Sequence, residues 1–385
     1  MQAVLAEDWQ AGGFGLYVHW PFCAAKCPYC DFNSHVTKSI DHDKWRKEFI
    51  DEIRRVGQET TGRVLQSVFF GGGTPSLMEP QTVGDILDVV HEVWPIANDI
   101  EVTLEANPTS VEASKFSDFQ IAGVNRISMG IQALNDPDLR ALGRLHTAQE
   151  GLQAFDIARK KFSRVSFDLM YGRQNQSLAD WEAELTNALT LGLDHVSLYQ
   201  LTIEAGTAFG DRYQAGKLTG LPSEDLSADM YQLTQDICEA NYINRYEVSN
   251  HATDGNESRH NLIYWRYGDY IGIGPGAHGR ITINGTRLAV EQKLIPSEWL
   301  SNTSRETREL LTGKEQASEF LLMGLRLREG INKNRYSNLS GYPLNQNRIA
   351  DLIDLNFIQD RNGIISTTKQ GLNVLNSILR TLLEV

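Results

Sequence analysis

Three cysteines, Cys23, Cys27 and Cys30, lie within eight consecutive positions in a Cys-x3-Cys-x2-Cys spacing. Three thiolates at this spacing can bind three irons of a cubane cluster. Because iron–sulfur clusters ordinarily take four cysteines, the segment would leave one iron open to another ligand. The alternative is a structural zinc site with four protein ligands, for which His19 or His35 would supply the fourth. The spacing, together with a glycine-rich segment further along, favours a 4Fe-4S cluster.

That glycine-rich segment is Gly71-Gly72-Gly73-Thr74-Pro75. It lacks the lysine and the spacing of a phosphate-binding P-loop, so it does not predict a nucleoside triphosphate site. Glycines allow tight turns, and they also let the backbone approach a ligand closely. From the residues alone, the segment is either a plain tight turn or a place where the backbone approaches a ligand.

Polar side chains recur at or near the ends of predicted strands, at Glu105, Gln132 and Asp168. A single carboxylate in such a place is more often a structural hydrogen-bond partner than part of a site. Their order along the chain instead predicts one shared site, because (β/α) barrels present active sites at the carboxyl ends of their strands.

A second set of candidates is His260, Tyr264 and Trp265. Imidazole and phenolate are both ligands of haem iron, and Trp265 offers an aromatic face to a macrocycle. In a helix, His260 and Tyr264 would lie on one face at i, i+4. From the residues alone, a hydrogen-bonded histidine beside aromatic residues of the core is favoured over haem ligation.

The elements that position these residues follow a strand–helix alternation. Short apolar or β-branched runs are each followed by a segment with apolar residues at helical spacing, such as 43–56 and 80–93. This pattern predicts an α/β fold with a parallel sheet and right-handed crossovers. We predict a partial, TIM-like (β/α)6 barrel with strands at 15–20, 64–70, 100–105, 126–131, 164–170 and 195–201.

Beyond the barrel the regularity fades, and three regions are predicted: the barrel at 1–206, an extension at 207–313 and a C-terminal domain at 314–385. In the last region we predict helices at 315–329 and 345–356 and from about 369, with a hairpin at Asn362-Gly363. Helices with a hairpin are typical of a winged-helix-like domain. Packing against the barrel or docking of a protein is favoured over DNA binding.

Charge, cysteine count and the distribution of apolar residues exclude several classes of function. The 385-residue chain has a formal charge of −13, and no nucleic acid partner is expected because binding to phosphates relies on Lys and Arg. Four cysteines are too few for a disulfide framework, and Cys238, which lies in no motif, is predicted to be a buried structural thiol. No apolar leader and no apolar run of about 18 residues occurs, so a cytoplasmic protein is expected.

The segment 17–34 resembles the cluster motif of the radical S-adenosylmethionine (SAM) superfamily, in its coproporphyrinogen-dehydrogenase-like branch, and the resemblance covers essentially the whole chain. It implies a 4Fe-4S cluster on the three cysteines, with the open iron chelated by the methionyl group of SAM. In that superfamily the reduced cluster cleaves SAM to a 5′-deoxyadenosyl radical. The residues that the resemblance assigns to SAM contacts are Tyr17, Tyr29, Gly72, Gly73, Thr74, Glu105, Gln132, Arg144, Asp168, Gln200, Ala277 and His278.

Two functions share this scaffold: oxidative decarboxylation of coproporphyrinogen III and haem binding by a chaperone. The decarboxylases carry a further cysteine two residues after the third, where this chain has Phe32, and a longer N-terminal arm than the 22 residues before Cys23. The run 260–265 resembles the His-Asn-x-x-Tyr-Trp signature of the chaperone group. The resemblance therefore implies haem contacts by His260, Tyr264 and Trp265.

We therefore expect a haem chaperone that binds haem, a 4Fe-4S cluster and SAM and hands haem to acceptor proteins, including membrane proteins of the respiratory chain. Contact with a membrane would then be peripheral and through the partner, and a homodimer is one oligomeric state considered. A radical enzyme acting on a porphyrinogen is the second hypothesis. A third is that SAM regulates assembly or haem release without productive cleavage.

Overall fold

The computed structural model describes residues 7–301 and 304–383. Residues 1–6, part of the stretch expected to lack a leader, lie outside this range. The strands are β1 (Phe14–Trp20), β2 (Phe22–Cys23), β3 (His35–Val36), β4 (Leu65–Gly72), β5 (Ile96–Ala106), β6 (Arg126–Gln132), β7 (Arg164–Tyr171), β8 (His195–Gln200), β9 (Asn244–Arg245), β10 (Asn250–Ala252), β11 (Asp269–Ile273), β12 (His278–Ile283), β13 (Thr286–Gln292), β14 (Glu306–Leu310), β15 (Ile331–Asn332), β16 (Ile358–Arg361) and β17 (Ile364–Thr367).

Helices follow most of the barrel strands. No helix of the described residues has the length and apolar character needed to cross a bilayer. The helices are α1 (His42–Glu59), α2 (Pro80–Val93), α3 (Ser110–Ser114), α4 (Phe116–Ile121), α5 (Asp136–Ala141), α6 (Ala148–Lys161), α7 (Leu178–Leu189), α8 (Ala208–Gln214), α9 (Glu224–Ala240), α10 (Arg259–Trp265), α11 (Pro296–Ser301), α12 (Gly313–Gly324), α13 (Lys333–Ser340), α14 (Gln346–Asp354), α15 (Lys369–Leu372) and α16 (Leu375–Leu383), with 3-10 helices at Asp8–Ala11 and Pro75–Leu77.

The six predicted strands form the centre of a 12-stranded sheet, in the order β1-β4-β5-β6-β7-β8. Each pairs in parallel with its neighbour, so their carboxyl ends meet at one edge. β1 is buried along nearly its whole length, as expected for a parallel strand covered on both faces. The α/β partial barrel is therefore confirmed.

The barrel is extended by strands that the sequence did not predict. β11 pairs in parallel with β1 and continues into the antiparallel strands β12, β13 and β14, while β10 and β9 extend the other edge. The sequence pattern did not predict β11, because the glycines of residues 268–279 interrupt the alternation of apolar residues. A Cβ on Gly272 would lie 2.0 Å from the carbonyl oxygen of His278, so the close approach of β11 and β12 needs glycine there.

Aromatic packing fixes the outer face of the barrel beside the cysteines. The Trp45 ring of α1 stacks on Trp299 of α11, with ring centroids 5.6 Å apart and an interplanar angle of 8°. Trp45 also meets Phe22, the residue before Cys23, edge-on at 5.3 Å. Buried aromatic pairs of this kind add stability beyond their apolar area. The strand that carries the first cysteine is thus anchored to the core.

The C-terminal domain has its own hydrophobic core and a three-stranded antiparallel sheet in the order β15-β17-β16. Asn362 and Gly363 both have positive φ, 55° and 84°, which confirms the type I′ turn predicted between β16 and β17. The predicted helix 315–329 ends early, at Gly324, and α13 was missed. α13 buries only Tyr336; its side-chain cap Asn332 and the left-handed Gly341 define it, rather than an apolar stripe.

This domain packs against the barrel, as expected. The Arg335 guanidinium donates to both carboxylate oxygens of Asp8 at 2.8 and 2.9 Å, and to the carbonyl oxygen of Arg266 at 2.6 Å. Tyr267, which follows α10, donates its hydroxyl to Glu319 of α12 at 2.8 Å. The helix that carries the second set of candidate residues therefore lies between the barrel and the C-terminal domain.

Candidate cofactor pocket

The three clustered cysteines begin at the end of β2 and continue in the loop that follows. Each thiol is free and half-buried, and all three line one cavity of about 350 Å³ at the carboxyl ends of the central strands. Burial raises the pKa of Cys23 and of Cys30. Among the described residues, no three His, Cys, Asp or Glu side chains come close enough together to hold a single metal ion. The three thiols share the wall of one cavity.

The glycine-rich segment lies directly against the cysteine-bearing strand. The Gly73 N–H donates to the carbonyl oxygen of Trp20 at 2.7 Å, and the Thr74 N–H donates to that of Phe22 at 2.8 Å. A Cβ on Gly73 would lie 2.6 Å from the Phe22 carbonyl oxygen, and one on Gly72 would meet the His19 ring at 2.6 Å. The glycines therefore permit close packing of two loops that face the same cavity.

Two carboxyl groups stand across the cavity on β5 and β7. Glu105 accepts a hydrogen bond from the Gly72 N–H at 3.2 Å. Burial, reinforced by the nearby charge of Asp168, raises the pKa of Glu105 to about 8. Burial also raises the pKa of Asp168, to about 6. Hydrogen bonds from Ser197 and Ser128 favour the ionised form and so oppose this rise. Burial thus favours the protonated form of both carboxyl groups, and their mutual repulsion disfavours ionisation of the two together.

Arg144 and Asn107 link the cysteines to the strand ends. Arg144 donates to the Cys27 sulfur at 3.5 Å, to Asn107 Oδ1 at 2.6 Å and to the carbonyl oxygen of Gly130 at 2.8 Å. The Asn107 amide in turn donates to Thr74 Oγ1 at 3.2 Å. Gln132, the last residue of β6, has a positive φ of 71°. Its side chain lines the cavity.

Asn107 was not singled out from the sequence as a site residue. It directly follows Ala106, the last residue of β5, which is the kind of position where Gln132 was recognised at the end of β6. That placement was the available signal. Its importance comes from contacts with two other segments, which spacing along the chain does not reveal.

Most of the residues predicted for the cluster and SAM line this one cavity. Because the carboxyl ends of parallel strands share an edge, residues from five strands and their following loops converge there. The predicted residues in the wall are Cys23, Cys27, Tyr29, Cys30, Gly72, Gly73, Thr74, Glu105, Gln132, Arg144, Asp168 and Gln200.

Three residues predicted to contact SAM lie outside this wall. The Tyr17 hydroxyl is 3.1 Å from Nδ1 of His19, inside the barrel. Ala277 is buried before β12. His278 begins β12 with an exposed side chain 3.7 Å from the Glu291 carboxylate. In this conformation these three do not join the other predicted residues.

The chemistry of the wall fits a cluster and SAM. Three wall atoms, Gln132 Oε1, Arg144 Nε and Asp168 Oδ1, are buried without a hydrogen-bond partner. Buried polar atoms are normally paired, so such atoms at a cavity mark places for ligand groups. The acceptors suit amino and hydroxyl groups, the guanidinium suits a carboxylate, and the three thiols suit iron.

The second set of candidates forms α10, so His260 and Tyr264 share one helical face as expected, with ring centroids 5.0 Å apart. The Tyr264 ring stacks on Tyr270 at 4.0 Å, and the Arg326 guanidinium lies over Trp265 at 5.4 Å from its ring centre. None of the three predicted haem residues lines the cofactor cavity.

His260 points into the barrel near the amino ends of its strands. Its Nδ1 is 2.9 Å from Ser67 Oγ, its backbone N–H donates to Glu101 at 3.2 Å, and its ring stacks on Phe69 at 5.0 Å. The residue is 3% exposed, and burial lowers the pKa of its imidazole to about 3. Its Nε2 has no partner. His260 is thus a neutral imidazole enclosed by the core.

Together, the fold and the pocket define a partial (β/α) barrel with a cysteine-lined cofactor cavity at its mouth. Comparisons with known proteins agree: residues 17–186 match the radical SAM superfamily and residues 311–374 match the HemN C-terminal domain. The chain is 36% identical to the heme chaperone HemW of Escherichia coli over 373 residues, covering 96% of this chain and 97% of that protein.

Animal relatives are similar as well. Radical S-adenosyl methionine domain-containing protein 1, mitochondrial, of Danio rerio is 38% identical over 384 residues, covering 96% of this chain and 86% of that protein. The chain belongs to the radical SAM superfamily, in the family that includes the heme chaperone HemW. In fold it resembles coproporphyrinogen III oxidase (HemN) from Escherichia coli, with a TM-score of 0.80 at 20% identity, covering 97% of this chain and 91% of that structure.

Proposed function

We propose that this protein is a haem chaperone of the HemW type, which binds a 4Fe-4S cluster, SAM and haem and transfers haem to acceptor proteins. The observation that carries the proposal is full-length similarity to proteins named heme chaperone HemW, at 36% and 34% identity over 96% and 92% of the chain for the Escherichia coli and Bacillus subtilis proteins. The cofactor cavity supplies a place for the first two groups.

In this proposal, the thiolates of Cys23, Cys27 and Cys30 hold the cluster, and Arg144 places its guanidinium against the Cys27 sulfur. The open iron and SAM supply reductive sulfonium cleavage when bound. The other wall residues named for SAM hold its polar groups: Asp168 accepts from the amino or ribose groups, and the backbone of Gly73 and Thr74 approaches closely. Protonated Glu105 can donate or accept a hydrogen bond at neutral pH.

We keep haem contact by His260, Tyr264 and Trp265 in the proposal, but haem can reach His260 only if α10 moves. The His260 ring is 3% exposed and its unpaired Nε2 is buried. Ligation by His260 therefore requires α10 to move away from Ser67 and Phe69. Tyr264 and Trp265 are half-buried and lie closer to the surface.

A coproporphyrinogen III dehydrogenase-type enzyme is the second candidate, favoured by the fold likeness to HemN. Against it stands Phe32, which occupies the position of the further cysteine expected for that activity and lines the cofactor cavity with 57% of its surface exposed. The enzyme hypothesis predicts decarboxylated product from coproporphyrinogen III in an anaerobic assay with an intact, reduced cluster. The chaperone hypothesis predicts none.

The test is a haem titration of protein whose cluster has been reconstituted without oxygen. We expect a saturable shift of the Soret band, followed by transfer of the haem to an added apo-haem protein. The His260→Ala variant should bind haem at least tenfold more weakly. His251→Ala is the matched control, because His251 is 1% exposed and burial lowers the pKa of its imidazole to about 3 as well.

Absence of a Soret shift in the wild type would refute haem binding. Equal losses in the His260 and His251 variants would assign the effect to damage of the core rather than to ligation. Transfer is a separate readout, since a protein that binds haem without releasing it to an acceptor would not be a chaperone. We further propose a cytoplasmic location and acceptors that include membrane-bound haem proteins.

A further inference from the structure

A second cavity lies far from the cysteines, where the barrel edge meets the C-terminal domain. Its volume is about 480 Å³. α9 and β9 form one side, and β16, β17 and α15 form the other. We call it the interdomain cleft, and its lining residues are Tyr231, Gln232, Gln235, Glu239, Asn244, Arg245, Arg328, Gln359, Arg361, Thr367, Thr368, Lys369 and Leu372.

The interdomain cleft is strongly basic in a chain whose formal charge is −13. Four of its lining residues are cations, Arg245, Arg328, Arg361 and Lys369, whereas Glu239 is the single carboxylate. Glu239 forms an ion pair with Lys369. The three arginines have no ion-pair partner within 4.0 Å among the described residues. The lining therefore carries an excess of positive charge.

Of the three arginines, Arg245 gives the strongest indication that the cleft binds an anion. Its guanidinium donates to the carbonyl oxygen of Arg326 at 3.1 Å, and burial lowers the pKa of the group. Arg245 is half-buried, and withdrawing part of a guanidinium from water is costly unless an anion or several hydrogen bonds compensate it. The charge of Glu247 offsets the burial only in part. Within the described part of the chain, no carboxylate does so at ion-pair distance.

Uncharged groups of the lining point to a ligand independently of the charges. Thr367 is 7% exposed, yet its hydroxyl has no hydrogen-bond partner. The Tyr231 hydroxyl and the Gln235 amide nitrogen are also buried without partners. Each is a hydrogen-bond donor, and so are the guanidinium groups beside them. An oxygen-rich anion would satisfy donors from both sides of the cleft.

We propose that the interdomain cleft binds a small polyanion that carries phosphate or carboxylate groups. The lining has a single aliphatic side chain, Leu372, which does not suit an apolar macrocycle. Its volume of about 480 Å³ suits a small molecule better than a nucleic acid backbone, which needs an extended basic surface. Because Arg245 belongs to the barrel edge and Arg361 to the C-terminal domain, the ligand ties the two together. The site is separate from the cofactor cavity and does not rest on the proposed function.

The test uses the full-length protein and isothermal titration calorimetry with two probes, inorganic pyrophosphate and citrate. Saturable binding of either probe is expected, weaker at high ionic strength because the interaction is electrostatic. Binding of pyrophosphate alone would identify phosphate as the ligand group, and binding of citrate alone would identify carboxylate. Thermal unfolding should shift upward with the probe that binds, since the ligand stabilises the folded state.

Two variants and one control locate the site. Arg245→Gln and Arg361→Gln should each weaken binding about tenfold or more, the effect of losing one charge-assisted hydrogen bond. Arg361 is exposed, so its variant should fold normally even if Arg245→Gln does not. Arg380→Gln is the control, because Arg380 is exposed in the same domain and lies outside the lining. Failure of the wild type to bind either probe, or equal weakening by Arg380→Gln, would overturn the proposal.

Discussion

Two regions of the same barrel carry the residues that the sequence singled out, and they differ in kind. At the carboxyl ends of the strands, the cofactor cavity is open and holds buried polar atoms without partners on Gln132, Arg144 and Asp168. At the amino ends, α10 closes the barrel and surrounds His260 with aromatic rings and a serine hydroxyl. The first region is arranged for ligands, whereas the second is arranged as core.

The difference teaches what each kind of motif can predict. Residues at successive strand ends must meet, because a parallel sheet places those ends at one edge. A pair at i, i+4 must share a helical face, but the spacing does not say whether that face meets solvent, ligand or core. Tyr17 joins the two regions: its ring stacks 6.1 Å from His260, and its hydroxyl is 3.1 Å from His19.

The largest expected effect concerns the cluster. Replacing Cys23, Cys27 or Cys30 singly with Ser should abolish iron binding after anaerobic reconstitution, because a cubane then keeps only two protein thiolates. Iron content and the visible absorbance of the cluster measure this. Cys238→Ser is the control: its thiol is buried away from the cavity, and burial raises its pKa to about 12. Iron loss in the control would give Cys238 a ligand role that contradicts the account.

The next effect separates SAM from the cluster. Gly73→Ala places a Cβ 2.6 Å from the Phe22 carbonyl oxygen, so the glycine-rich segment must shift away from the cysteine strand. We expect SAM affinity to fall at least tenfold while iron is retained, measured by equilibrium dialysis. Gly84→Ala is the control, since a Cβ there meets Ala122 at an ordinary 3.7 Å. Unchanged affinity in Gly73→Ala would remove the segment from the site.

A smaller effect tests α10 as core. Ser67→Ala removes the hydrogen-bond partner of His260 Nδ1 and leaves both ring nitrogens unpaired. The free energy of unfolding should fall by about 1–3 kcal/mol, the cost of an unsatisfied buried polar group. Ser114→Ala, which removes an exposed hydroxyl, should change it by less than about 0.5 kcal/mol. If urea denaturation gives the two variants the same free energy of unfolding, α10 does not pack tightly against the barrel core.

The effect expected to be smallest, counted per pH unit, comes from Glu105, whose pKa is raised to about 8 when folded. An unfolded glutamate has a pKa of about 4.3, so between these values the folded state holds a proton that the unfolded state releases. Stability therefore falls as pH rises through this window, by up to about 1.4 kcal/mol per pH unit. Glu105→Gln should lose that fall, except for the part due to Asp168 below about pH 6.

Urea denaturation at pH 5, 6, 7 and 8 on the cluster-free protein measures this slope. The variant should gain stability relative to the wild type as the pH rises. If the free energies of unfolding of the wild type and Glu105→Gln differ by the same amount at every pH, Glu105 is already ionised in the folded protein. The raised pKa would then be wrong.

The sequence predicted the central strands and most of the cavity wall, because both follow from local patterns and the geometry of parallel sheets. It missed β11, where glycines required by close strand contact obscure the pattern, and α13, which its caps define. It also missed Asn107, whose role depends on contacts with Arg144 and Thr74 from other segments. The enclosure of His260 follows from tertiary packing against Ser67 and Phe69, which no local spacing encodes.

The central claim is that the cysteine loop and the strand-end residues form a single cofactor site. The most direct test is the binding of SAM to the same protein with and without its reconstituted cluster, measured by equilibrium dialysis. The account predicts stoichiometric binding to the cluster-containing protein and affinity at least tenfold weaker after the cluster is removed. Equal affinity in both states would contradict it, because SAM would then be held without the iron that the three cysteines are proposed to position.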